Sequence, residues 1–140
     1  MQVDTRFGKV EVDPDTVLTF PQGLPGFENL TRFTLLHEEG ATTIFWLQSV
    51  EDPDVQFSVT DPNSFRVNYQ ITLQDDEAEL LELTDVADAT VMVMLSRDEA
   101  TDPSAIKANF MGPLVINSKS RKGFQKALNQ IEGFVNIVAE

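Results

Sequence analysis

The chain has no cysteine, and in 140 residues it has one tryptophan, one tyrosine and one histidine. Without cysteine there is no disulfide, no thiol nucleophile and no cysteine-based zinc site. Basic residues are scarce: ten lysines and arginines stand against 23 aspartates and glutamates, for a formal charge of −13. Direct nucleic-acid binding is therefore not expected, because neutralising phosphates needs a basic face. No apolar run approaches the roughly 20 residues of a membrane span, so no membrane association is expected. The start, MQVDTRFGKV, has no basic segment followed by an apolar core, so no signal peptide is read there. The expectation is a soluble cytoplasmic protein. Its length is that of one domain, enough to bury about two thirds of the unfolded surface.

What is present is acid, unevenly placed. Residues 1–106 carry 21 acids and 5 bases, and residues 107–140 carry 2 acids and 5 bases. An acidic body favours solubility and long-range attraction to a basic partner.

Asp-Pro occurs four times, at Asp13-Pro14, Asp52-Pro53, Asp61-Pro62 and Asp102-Pro103. Proline fixes φ and aspartate bonds its own backbone ahead, so these pairs mark turns. Short β-rich runs lie between them. Gln2–Arg6 and Lys9–Val12 read as a hairpin about Phe7-Gly8. Further strands are expected at Val17–Phe20, Thr31–Leu36, Thr43–Gln48, Val55–Thr60, Tyr69–Leu73, Thr90–Leu95, Pro113–Asn117 and Phe124–Leu128. Val91–Leu95 is apolar on both faces and predicts a strand covered on both sides. Trp46 is expected in the core. One short helix follows Asp76, which can cap it, with Glu79 completing a capping box. The fold class is mainly β: a compact antiparallel β-barrel-like domain of about eight to ten short strands with one or two short helices.

Candidates for chemistry are few. His37 lies in LLHEEG with no partnered nucleophile, and with Glu38 and Glu39 it reads as a solvated loop rather than a metal site. Asp75-Asp76-Glu77-x-Glu79 lacks the spacing of a calcium loop. Gly23-Leu24-Pro25-Gly26 is interrupted by a proline, which has no N–H to offer a phosphate. No catalytic, cofactor-binding or metal-binding residue is assigned, and the chain is not read as an enzyme. SKSRKG, residues 118–123, reads as a hairpin loop.

Three stretches carry a resemblance: LTFPQGLPGFENLTRFTLL at 18–36, WLQSVEDPDVQFSVTDP at 46–62, and ANFMGPLVINSKSRKGFQKAL at 108–128. Together, in this order, they resemble the flagellar assembly factor FliW family. The match covers residues 1 to about 128 and leaves Asn129–Glu140 as an atypical tail on a single 1–140 domain. The resemblance implies a β-barrel-like cytoplasmic binding protein, expected to be monomeric and without cofactor. It implies two protein partners: CsrA, a small basic RNA-binding repressor, and flagellin. Binding of CsrA would relieve repression of flagellin mRNA until flagellin occupies the factor. The alternative from the residues alone is a small-ligand-binding β-barrel.

The candidate partner-facing residues fall in three groups. Leu24-Pro25-Gly26-Phe27 suits a type II turn that would hold Leu24 and Phe27 either closing the barrel or as an apolar patch beside Glu28. Asp75, Asp76, Glu77 and Glu79, with Glu82, would form an acidic helical face. Phe110, Met111, Asn117 and Arg121 belong to the third matching stretch.

Overall fold

The computed structural model describes residues 1–37, 40, 43–65, 71–97 and 106–128. An N-terminal hairpin, β1 (Gln2–Thr5) and β2 (Gly8–Glu11), forms a sheet of its own. The remaining strands are β3 (Leu18–Thr19), β4 (Arg32–Leu36), β5 (Ile44–Ser49), β6 (Gln56–Thr60), β7 (Ala89–Arg97), β8 (Ile106–Ala108), β9 (Leu114–Asn117) and β10 (Lys122–Gln125). Seven of these close a barrel in the order β6-β5-β4-β3-β10-β9-β7, with β7 pairing back to β6 and β8 extending the far edge of β7. Closure removes the unpaired edges that an open sheet would present. The pairings are antiparallel except β3 with β10, a parallel contact of Thr19 with Lys122 alone.

Alternation along the strands sorts the side chains. Phe45 and Leu47 of β5, and Leu114 and Ile116 of β9, join Leu18, Phe20, Phe33, Val59 and Met92 in the main core. Phe20 and Phe33 meet edge to face, with ring centroids 5.5 Å apart. Val93, within the segment expected to be covered on both sides, is fully buried. Trp46 points the other way from its neighbours. It is half-buried, with its ring 5.6 Å from that of Phe7, so it is not a core residue.

The expected turn at Leu24–Phe27 is present: Phe27 N–H donates to the Leu24 carbonyl at 2.7 Å, and Gly26 has φ +85°. Leu24 enters the main core, while Phe27 is partly exposed and packs edge-on against Phe57. Gly23, just before it, also has positive φ, and a Cβ there would lie 2.6 Å from the Glu28 Cα.

The Gln48-Ser49 stretch builds the β5–β6 turn. Fully buried Gln48 donates from Nε2 toward the carbonyls of Ser49, Asp52, Pro53 and Val55, and Ser49 Oγ accepts from the N–H groups of Glu51 and Asp52. Glu51 then reaches back to the N–H groups of Thr31 and Arg32, which hold its carboxyl below the usual carboxylate range. A depressed folded pKa adds stability that is complete above the ordinary value of 4.5 and is lost as pH falls through the lower folded value. The group is exposed, so the contribution is small.

Among the described residues one α-helix, α1 (Asp75–Leu81), lies outside the barrel. Its cap is Gln74 rather than Asp76, and the closing carboxylate is Glu77, whose Oε1 accepts from the Gln74 N–H at 2.9 Å. Leu81 is fully buried against Val115 and Phe124, on the outer face of β9 and β10. Two polar ties hold α1 there. Asn117, 2% exposed, donates from Nδ2 to the carbonyls of Leu81 at 2.9 Å and Glu82 at 3.3 Å, and its Oδ1 accepts from the N–H groups of Lys119 and Ser120. Ser120 Oγ donates to the same Leu81 carbonyl at 2.7 Å. At the other end Lys126, itself buried, places Nζ 2.8 and 3.1 Å from the two Glu77 oxygens.

The structure differs from the expectation in three strands. Ile71–Leu73 form no strand, and residues 69 and 70 lie outside the described set. The last strand begins at Lys122 and ends at Gln125, not Leu128. Strand β8 has no counterpart among the expected runs.

Two stability outcomes follow. Asn117→Ala leaves the helix-end carbonyls and two loop N–H groups short of partners, and should cost about 2–3 kcal/mol in urea unfolding; a cost below about 0.5 kcal/mol would mean the clamp does not hold α1. Gly23→Ala combines left-handed strain with a backbone clash and should cost about 2–4 kcal/mol, against about 1 kcal/mol for Gly26→Ala. Gly26 also has positive φ, but its Cβ would meet open space; equal costs would remove the clash at Gly23.

Candidate functional site

Residues 71–91 contain seven carboxylates, Asp75, Asp76, Glu77, Glu79, Glu82, Asp85 and Asp88, and no base. Lysines of the β9–β10 region engage three of them: Lys126 takes Glu77, Lys122 takes Glu82, and Lys119 lies 3.6 Å from Asp88. The other four, Asp75, Asp76, Glu79 and Asp85, are exposed and make no salt bridge among the described residues. The fold has thus sorted the acids. Glu77 works inward, as a capping and pairing group, while four neighbours keep their charge facing water.

Beside these acids α1 leaves an apolar groove of about 430 Å³. Ile71, Leu73 and Leu83 line one side, and Val91 and Val115 of the barrel wall line another. Val86 stands at its margin in the 3-10 turn Val86–Asp88 and is 83% exposed. Ala78 lines the groove from α1. Asp75 is three residues before it on α1, so the two share one helix face, and Glu82 follows the helix as its cap with φ 54°.

A second apolar cleft, of about 340 Å³, lies between the hairpin and the outer face of β4 and β5, lined by Phe7, Val10, Leu36, His37 and Trp46. Phe7 at the hairpin tip is 72% exposed. The charges of the hairpin are mixed, two acids and two bases: Asp4, Arg6, Lys9 and Glu11. In the closed strand order, β4 and β5 are separated from β7 and β9 by β6 on one side and by β3 and β10 on the other. The two clefts therefore occupy different walls of the barrel.

The candidate residues are not brought to one place. Asp75, Asp76 and Glu79 are exposed on α1, as expected. Glu77 and Asn117 are committed to structural contacts, and Leu24 is core. Glu28 is exposed and accepts from the Gly26 N–H at 3.2 Å. Met111 is exposed, Phe110 is half-buried, and Arg121 is exposed with φ 61° in the β9–β10 turn. His37 packs edge-on against Phe45, while Glu38 and Glu39 lie outside the described residues. Among the described residues no group of three or more histidine, cysteine or acidic side chains could hold a metal, and no helix is long and apolar enough to cross a membrane.

Sequence reasoning missed the groove and the hairpin cleft. Val86 carried a usable signal, being an apolar residue between carboxylates in a stretch with no strand period. The pairing of Phe7 with Trp46 carried none, because it depends on how the hairpin folds back.

Comparison with known proteins agrees with this architecture. The FliW protein family matches residues 2–135. A flagellar assembly factor FliW from Azoarcus sp. (strain BH72) is 49% identical over 129 residues, covering 89% of this chain and 88% of the relative. One from Chromobacterium violaceum is 43% identical over 129 residues, covering 86% and 88%. A crystal structure of the flagellar assembly factor FliW superposes with a TM-score of 0.82 at 32% identity, covering 94% of this chain and 92% of that one. A seven-stranded barrel with one short outer helix, matched in sequence along nearly its whole length, makes this chain a member of the FliW family of flagellar assembly factors.

Proposed function

We propose that this chain acts in the cytoplasm by protein contact alone, binding a CsrA-type translational regulator and, in exchange, flagellin. Holding the regulator away from flagellin mRNA relieves repression. Flagellin occupying the factor releases the regulator again. The observation that carries this reading is the family match across residues 2–135. The surface is consistent with it. A formal charge of −13, with four carboxylates of the α1 region that make no salt bridge among the described residues, attracts a cationic regulator over distance and speeds encounter. Phe7, Phe27 and Met111 leave further apolar surface exposed for a second partner. Phe20, Phe33, Leu47 and Leu114 pack into the main core with almost no exposure, which leaves that part of the barrel interior no room for a small ligand.

The test is calorimetric titration of the purified chain with CsrA and separately with flagellin, followed by competition. Binding of both with micromolar or tighter Kd is expected, with association to CsrA slowing about tenfold between low and high salt. If neither protein binds at about 10 μM, the reading fails.

A further inference from the structure

We propose that the groove between α1 and the outer face of β7 and β9 is the docking surface for the basic partner, and that it takes an amphipathic segment: an apolar ridge flanked by lysine or arginine. The inference rests on the proposed binding of a cationic regulator and assigns the surface that binds it.

Three observations point the same way. The groove wall is apolar and open, with Ile71, Leu73, Leu83 and Val91 presented together and Val86 standing almost free at the margin. The groove has a volume of about 430 Å³, room for the apolar anchors of an amphipathic helix laid in a groove. The margin carries charge of one sign. Asp75 shares the groove-facing side of α1, and Asp85 is adjacent in sequence to Val86 and makes a local bond to the Ala87 N–H. Lys119, Lys122 and Lys126, the lysines closest to this surface in the paired set, are already matched to Asp88, Glu82 and Glu77. Among the described residues, the acids of this region left without an ion pair are Asp75, Asp76, Glu79 and Asp85, so the complementary ligand is an apolar ridge with cationic flanks. A second copy of this chain fits poorly, because it brings a formal charge of −13 to the same margin. The hairpin beside the other cleft carries two acids and two bases, Asp4, Arg6, Lys9 and Glu11, and shows no such preference.

The groove is also preformed. Asn117 and Ser120 hold the C-terminal end of α1 and Lys126 holds its N-terminal end. Little ordering remains to be lost when a partner docks, which favours affinity. The apolar wall should set the lifetime of the complex and the carboxylates its rate of formation.

The experiment uses the full-length chain and purified CsrA as the probe, with rates read by surface plasmon resonance at two salt concentrations. Val86→Asp puts a charge on the groove margin at a position the fold leaves exposed; dissociation should accelerate about tenfold or more. The double variant Asp75→Lys with Asp85→Lys should slow association about tenfold at low salt and flatten its salt dependence. Phe7→Ser, in the other cleft, should change neither rate by more than about twofold. If the wild-type chain binds CsrA while the groove variants bind with unchanged rate constants, the docking surface is elsewhere and the functional reading stands. Failure of the wild type to bind CsrA overturns both. Should Val86→Asp shift the melting transition, the double variant decides, since both its positions are solvent-exposed.

Discussion

The side chain of Asn117 joins two parts of this protein that the backbone does not join. Its amide nitrogen reaches the carbonyls that end α1, and its oxygen gathers the turn between β9 and β10. A helix of seven residues is too short to persist in water on its own. It exists because Leu81 is buried on Val115 and Phe124 and because its ends are tied. With α1 fixed, four carboxylates and an apolar groove acquire defined positions. Without it they would be an acidic loop over an exposed wall of valines.

The charge distribution follows the same logic. Lysines are few, and the β9–β10 region uses three of them on acids of the α1 region. The Glu77–Lys126 pair is largely buried, so each partner needs the other: removing one leaves an uncompensated charge. The outer carboxylates have no such partner among the described residues. In this account, structure uses one set of charges and recognition the other.

Much of the fold was legible from local pattern. The turns at Asp13-Pro14, Asp52-Pro53 and Asp61-Pro62, the Leu24–Phe27 turn and most of the short β-branched runs are decided by residues within a few positions of each other, while Asp102-Pro103 lies outside the described residues. Strand β8 was not legible, because three residues, Ile106–Ala108, give no period to read. Gln74 outcompeted Asp76 as the helix cap because Glu77, anchored by Lys126, is placed to close on it. The site was less legible than the fold. Glu77 sits among surface acids in the sequence, and only a contact across 49 residues turns it inward. The stretches that carry the family resemblance supply most of the main core and two of its turns, with Gln48 and Ser49 filling one and Asn117 and Ser120 the other. They identify the architecture. The groove beside them is lined by Ile71, Leu73, Leu83 and Val86, outside all three stretches, with Val115 of the third stretch on its wall.

Hydrogen exchange followed by mass spectrometry, on the free chain and on its complex with CsrA, tests this arrangement most directly. The account predicts slowed exchange concentrated in residues 71–88, with the hairpin tip at Phe7 unchanged. Protection confined to the hairpin and the outer face of β4 and β5, with 71–88 exchanging as in the free chain, would contradict it.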